Sequence, residues 1–300
     1  MMKVNEIIPT LWMSMLFLFV YFVSLLIVKP FKNAGMQAFE NPENPMNIIY
    51  FIAILLVLTL VILTIAKYWK KKLIYVFILA AVAVTSMYVL DPIFVMFIAE
   101  PFAFYLSLVM TLLIVLALVY YPEWYVIDLC GILVAIGSIA IFGISLTIPL
   151  VIILLTILAI YDFISVYKTK HMITLADTVV DLKLPVLFII PKKLPYSFRK
   201  EETSLKKKLD KGEERDAFFM GVGDVVIPGI LVAACYNFIG DLMISFSVIL
   251  GILVGFFVLM LLVIKGKPQP GLPFLNTGAI IAYFISSYVL HSSLVGFTFL

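Results

Sequence analysis

The chain has 300 residues, 64% of them hydrophobic, a mean hydropathy of +1.18 and a formal net charge of +3. Soluble domains sit near 45–50% apolar, so this composition excludes an ordinary soluble fold and indicates a polytopic membrane protein, α-helical because helices satisfy their own backbone in lipid. Basic residues are not interleaved with aromatics, which argues against nucleic acid as a partner, and no polar block is large enough to fold alone, so residues 1–300 read as one integral membrane domain.

In chain order, the first apolar run covers 8–28. It is long, has only Lys3 before it as a basic residue and lacks a small-residue cleavage pattern, so it reads as a retained membrane helix. A polar linker follows at 29–45, then runs at 46–66 and 73–90, the latter stopping at Asp91-Pro92. Residues 92–101 read as a connector or re-entrant piece. Further runs lie at 102–121, 125–146, 147–167, 217–238, 242–264 and 272–290, with the boundary between 125–146 and 147–167 the least marked. Each is near the roughly 20 residues that a bilayer requires, and together they predict about nine spans. They divide into a six-helix part (1–167), a loop (168–216) and a three-helix part (217–300).

Within the loop, Lys170, Thr174, Asp177, Thr178 and Asp181 recur at helical spacing and predict a short amphipathic helix at the interface. Residues 184–190 are β-branched, bounded by Pro185 and Pro191, and suit a short strand; 192–216 is highly charged and reads as mobile. With the N-terminus inside, the inside segments hold Lys3, four lysines at 67–72, twelve basic residues from 168 to 215, Lys265 and Lys267; only Lys29 and Lys32 fall outside. The positive-inside rule therefore predicts a cell-membrane protein with a cytoplasmic N-terminus and an outer C-terminus.

The chemistry lies in two carboxylates. Asp162 follows Tyr161 near the end of the sixth run, and Asp224 closes Gly221-Val222-Gly223-Asp224 near the start of the seventh. A carboxylate at a helix centre in the bilayer costs about 2.5–3.5 kcal/mol on insertion scales. Counting helical rise from the cytoplasmic ends puts Asp162 roughly 9 Å deep and Asp224 roughly 10 Å deep, so the two match in depth on adjacent antiparallel segments. Two close carboxylates do not both ionise easily; one can act as acid while the other acts as base, and a water between them can be activated to attack an amide carbonyl. Gly221 and Gly223 permit close backbone approach beside Asp224, or serve as helix-packing glycines. Pro228 cannot donate to the carbonyl of Asp224. Gln269-Pro270-Gly271-Leu272-Pro273 leaves backbone groups unpaired at the start of the last run, where it can line a site, pair with a strand or simply begin a helix. Asp91, Glu100, Asp128 and Asp241 lie near span ends and read as solvated interface residues. Cys130 and Cys235 read as buried free thiols. His171 and His291 are far apart and lack spaced partner ligands, so neither a metal nor a cofactor is expected.

Tyr161-Asp162, Gly221-Val222-Gly223-Asp224 and Pro270-Gly271-Leu272 resemble the Tyr-Asp, Gly-x-Gly-Asp and Pro-Ala-Leu motifs of the presenilin and signal-peptide-peptidase intramembrane aspartyl proteases, and most of all their microbial homologues. Gly271 departs from the family's usual alanine. The resemblance implies a catalytic pair of Asp162 and Asp224 and a site shaped by Tyr161, Gly221, Val222, Gly223, Pro270, Gly271 and Leu272. It also implies transmembrane-helix substrates that unwind and add a strand near the cytoplasmic face. Two other classes compete: an ion- or proton-conducting channel or transporter using the same aspartates, although no internal repeat of spans is found, and a prepilin-type peptidase, which lacks the late proline–leucine motif. Physiological substrates, accessory subunits and oligomeric state are not legible at this level.

Overall fold

The computed structural model describes residues 4–68, 71–169, 184–193, 195–200, 216–263 and 269–297. Among them are nine α-helices: α1 (Val4–Asn33), α2 (Met46–Tyr68), α3 (Lys71–Val95), α4 (Phe102–Tyr120), α5 (Trp124–Ser145), α6 (Ile148–Ile164), α7 (Val222–Phe238), α8 (Leu242–Val263) and α9 (Leu272–His291). Seven are long and apolar enough to cross a membrane, and Met46–Val61 and Val222–Phe238 are shorter apolar helices. Two strands, β1 (Leu187–Pro191) and β2 (Ala217–Gly221), form an antiparallel pair in which Leu187 faces Gly221 and Pro191 faces Ala217.

The helix boundaries follow local chemistry. Between α5 and α6 the chain is extended at Leu146 and Thr147, and Pro149 sits in the first turn of α6, where its missing N–H is no loss. The seam that hydropathy barely marks is therefore a sharp break. Two expectations need correction. α3 continues through Asp91-Pro92 to Val95, so no re-entrant piece forms and only a short turn joins it to α4. The apolar run 217–238 is not one helix: Ala217–Gly221 is extended and α7 begins at Val222. The segment 184–190 is extended as expected, with β1 reaching Pro191. The amphipathic helix expected over 170–182 and most of the charged stretch 192–216 lie outside the described residues.

α5 is the centre of the bundle, with α1, α3, α7 and β1 packed against it. Its buried face includes Gly131, Gly137 and Gly143. A Cβ on Gly143 would collide with Ala233 of α7, so these two helices meet almost backbone to backbone. α8 and α9 are closer still: a Cβ on Gly251 would strike the carbonyl of Gly278, and one on Gly255 the carbonyl of Phe274. Lipid offers no hydrophobic drive for helix association, so such close packing through small residues is what holds membrane helices together. Leucine and valine on the outer faces, such as Leu60, Leu112 and Val254, are more than half exposed, as a lipid-facing surface requires. Serines inside the bundle satisfy themselves locally, Ser24 donating to the Val20 carbonyl and Ser107 to that of Ala103. Cys130 and Cys235 are free and buried. At one end of α8 and α9, His291 Nε2 meets Asp241 Oδ2 at 2.9 Å. The Met243 amide and then His291 hold the Asp241 carboxyl below the usual carboxylate range.

Gly255→Leu should drive α8 and α9 apart, because the obstructing atoms are backbone and cannot turn aside. The expected loss is at least about 1–3 kcal/mol, read as a lowered thermal unfolding midpoint in detergent; an unchanged midpoint would contradict the packing.

Candidate active site

The site forms where three helix ends meet. α6 carries Asp162 two residues before its last helical position, and a π-turn, Ser165–Thr169, follows. α9 begins at Leu272 with Gly271 as its N-cap and Pro273 in its first turn. Helix N-termini leave backbone N–H groups without internal partners and present a positive dipole end. Pro273 removes one of these donors and Pro270, just before the N-cap, has none, so Gly271 and Leu272 present their N–H groups between two prolines. Both meet the Asp162 carboxyl; the Leu272 N–H donates to Oδ2 at 3.1 Å. A carboxylate on a helix N-terminus is a favourable pairing. Two further bonds fix this junction: Tyr167 Oη donates to Gln269 Oε1 at 2.7 Å, and Asn276 Nδ2 to the Leu155 carbonyl at 2.8 Å.

Asp224 uses the same device on α7. With Gly221 as N-cap, Val222, Gly223 and Asp224 are the first three helical residues. An acidic side chain at the third position can reach back to the N-cap amide, as in half of a capping box, and the Gly221 N–H does meet the Asp224 carboxyl. The spacing of glycine and aspartate is therefore the spacing of N-cap and third residue. This replaces the expectation that Asp224 lies two turns inside a helix; it lies in the first turn, at a strand–helix junction. At the next residue, Tyr21 of α1 donates its buried hydroxyl to the Val225 carbonyl at 3.0 Å, beside the place where Pro228 leaves the Asp224 carbonyl without its helical donor.

The two carboxyls converge on one short segment. An ideal Cβ on Gly271 would stand 3.1 Å from Asp224 Cγ and Oδ2 and 3.2 Å from Oδ1, while the next amide, that of Leu272, is bonded to Asp162. The two aspartates are also within electrostatic range of each other. Both are half-buried. Gly223 is exposed, and a Cβ there would meet nothing within 4 Å, so it is not a packing glycine; it leaves open space beside Asp224. Val222, Pro270, Gly271 and Leu272 are buried, and Gly221 is half-buried. Tyr161 is exposed, and its hydroxyl has no hydrogen-bond partner among the described residues.

Residues that sequence reasoning passed over also belong here. Asp128 of α5 is not a solvated interface residue: it is 7% exposed and accepts the Ile189 N–H at 2.8 Å through Oδ1. Glu123, at the N-cap of α5, accepts the Phe198 N–H at 3.0 Å and the Ser197 hydroxyl at 2.7 Å. Both carboxylates hold the segment that contains β1. The available signal was Asp128 standing three residues from Gly131 on an otherwise apolar helix face.

The family model described as signal-peptide peptidase, presenilin aspartyl protease matches residues 14–292. No curated protein matches the sequence. Among solved structures, a presenilin family intramembrane aspartate protease in a C222 crystal form is 33% identical, covers 94% of this chain and 99% of its own, and superposes with a TM-score of 0.72. The same description in a P2 form gives 34% identity, 93% and 97% coverage, and a TM-score of 0.70. The chain thus belongs to the signal-peptide-peptidase and presenilin family of aspartyl proteases, with the family's polytopic all-α membrane fold. It is an intramembrane aspartyl protease, and the family implies transmembrane protein substrates in a lipid environment.

Gly271 departs from the alanine usual in the family, and the contact predicts what that change does. Gly271→Ala should fold and keep activity within about tenfold, because the Asp224 carboxyl need shift only a few tenths of an ångström. Gly271→Leu should lose at least about 100-fold, because the larger side chain would displace the Asp224 carboxyl, and a 1 Å misplacement close to the chemistry can have that effect. Cleavage rates of the purified variants check both; equal rates for alanine and leucine would contradict the contact.

Proposed function

We propose that Asp162 and Asp224 are the catalytic pair of a Gly-x-Gly-Asp-type protease, and that Pro270, Gly271 and Leu272 shape its site. The observation that carries this reading is the convergence of both carboxyls on Gly271 and Leu272, each held at a helix N-terminus. One carboxyl keeps a proton while the other is ionised. The carboxylate takes a proton from a water as the water oxygen attacks the scissile carbonyl carbon. The acid donates its proton to the carbonyl oxygen, giving a neutral gem-diol. Collapse of the diol returns one proton to the pair and delivers one to the leaving nitrogen, so the C–N bond breaks and the pair again holds a single proton. No covalent enzyme intermediate is needed.

Helical amides are sheathed by their own hydrogen bonds, so a transmembrane substrate must unwind at the scissile bond. The sheet supplies a template for the unwound chain by strand addition. Its pairing leaves one edge suited to this. The Val222 N–H donates to Val186 and the Lys192 N–H to Asp216, so even-numbered residues face the partner strand and odd-numbered ones face outward. On β1 the outward Ile189 N–H is taken by Asp128, and Pro191 has none. On β2 the outward groups of Phe219 have no partner among the described residues, and β2 runs directly into Gly221 and Asp224. The substrate strand is therefore assigned to β2, and open space at Gly223 gives it access to Asp224.

The basic residues support a cytoplasmic N-terminus and outer C-terminus in the cell membrane, with the pair toward the cytoplasmic face. Chain 1–300 acts as one unit whose two aspartates come from its first six and last three helices. A channel would have no need of a strand edge beside the carboxylates, which favours the protease mechanism over that alternative.

The test is cleavage of a single-span substrate by the purified full chain in liposomes. Asp162→Asn and Asp224→Asn should each lose at least about 100-fold, the lower end of what general acid–base groups contribute, with unfolding midpoints preserved. Cleavage by either variant at the parent's rate would refute the assignment.

A further inference from the structure

We propose that Asp128 is a positioning residue for proteolysis, which holds β1 on α5 and so sets the height at which β2 presents a substrate to Asp224. The inference rests on the catalytic reading above and adds a residue that touches neither the reacting bond nor the catalytic pair.

Asp128 is buried on the face of α5 that also carries Gly131. A Cβ on Gly131 would lie 3.0 Å from Phe188 Cε1 and 3.2 Å from Val222 Cγ2. One turn of α5 therefore touches both the middle of β1 and the first residue of α7. Asp128 Oδ1 takes the outward N–H of Ile189, the residue after Phe188. That donor is buried, and a buried N–H left without a partner is costly, so the bond fixes where β1 can rest along α5. Glu123 holds the continuation of the same segment through Phe198 and Ser197. β2 is paired in register with β1 from Ala217 to Gly221, so it inherits that height. Because side chains alternate along a strand, a slip of one residue would turn every side chain to the opposite face. A substrate strand on β2 would then offer a different bond to the pair. Asp128 thus governs both the rate and the choice of bond.

The experiment compares the parent, Asp128→Ala, Asp128→Asn and Asp224→Asn as full chains in liposomes with a single-span substrate, products being read by intact mass. Asp128→Ala, with its unfolding midpoint checked, should lose at least about tenfold in kcat, more than it changes KM, as expected for a misplaced reacting geometry. It should also cut at additional bonds next to the parent's. Asp128→Asn keeps an acceptor oxygen and should cut the parent's bonds within about threefold of its rate. If Asp128→Ala does not fold, Ile189→Pro removes the donor at an outward edge position and carries the same test. A folded Asp128→Ala that cuts the parent's bonds at the parent's rate would overturn the inference, as would an Asn variant behaving like the alanine one. Failure of the catalytic reading looks different: the parent would cut no better than Asp224→Asn. In that event amide hydrogen exchange over 187–191 and 217–221 decides, with protection lost in Asp128→Ala and kept in Asp128→Asn if Asp128 positions the sheet, and unchanged in both if it does not.

Discussion

Backbone amides at the start of a helix have no partners of their own, and inside a membrane water cannot be relied on to supply them. That constraint organises the site. α7 and α9 both begin where α6 ends, and each N-terminus is met by a carboxyl: Asp224 at the N-cap amide of its own helix, Asp162 at the first amides of α9. The prolines flanking Gly271-Leu272 remove competing donors, so Asp162 has two amides to bind. The groups that satisfy the backbone are also the groups suited to move protons. Their separation is set by helix ends, which are more rigid than loops, and by a glycine through which one carboxyl nearly touches the segment that binds the other.

Placement of these helix ends depends on packing at distances that leave no room for a methyl group. α5 lies against α7 through Gly143 and Ala233, and against β1 and Val222 through Gly131; α8 lies against α9 through Gly251, Gly255 and Gly278. The two helices whose N-termini form the site are thus each locked to a neighbour by backbone contact, and α6 is tied to α9 by Asn276. Tyr21 reaches from α1 to the first turns of α7 beside Pro228, where the helix lacks a donor. The frame is close-packed around the helices that hold the carboxyls and open at Gly223, where another chain would have to approach.

Most of the span pattern was legible because long apolar runs bounded by Pro, Lys and Gly can be little else in a bilayer. The three motifs were legible because each places a charge or a helix breaker at a membrane edge. What misled was hydropathy at places where it carries no conformational signal. Ala217–Gly221 is apolar and continuous with α7, so periodicity could not separate a short buried strand from a helix; its partner lies some thirty residues earlier, and only the register makes the strand visible. A helix over the whole run would bury Asp224 two turns deep, whereas it stands in the first turn of α7. Asp128 reads as solvated because it lies close to the end of its span, but proximity in sequence to an interface says nothing of which way a helix face points, and this face is covered by β1. Asp91-Pro92 predicts a stop, yet the helix continues through Pro92 at the cost of one backbone bond.

The central claim is that the two carboxyls act as a single unit. The most direct measurement is binding of a peptide bearing a hydroxyethylene isostere of the scissile amide, whose hydroxyl mimics the tetrahedral intermediate, to the parent, to Asp162→Ala, to Asp224→Ala and to the double variant. If the pair shares one proton around that hydroxyl, each single variant loses as much affinity as the double one, because groups acting as a unit are not additive. Losses that simply add, or a single variant that binds as the parent does, would contradict the account.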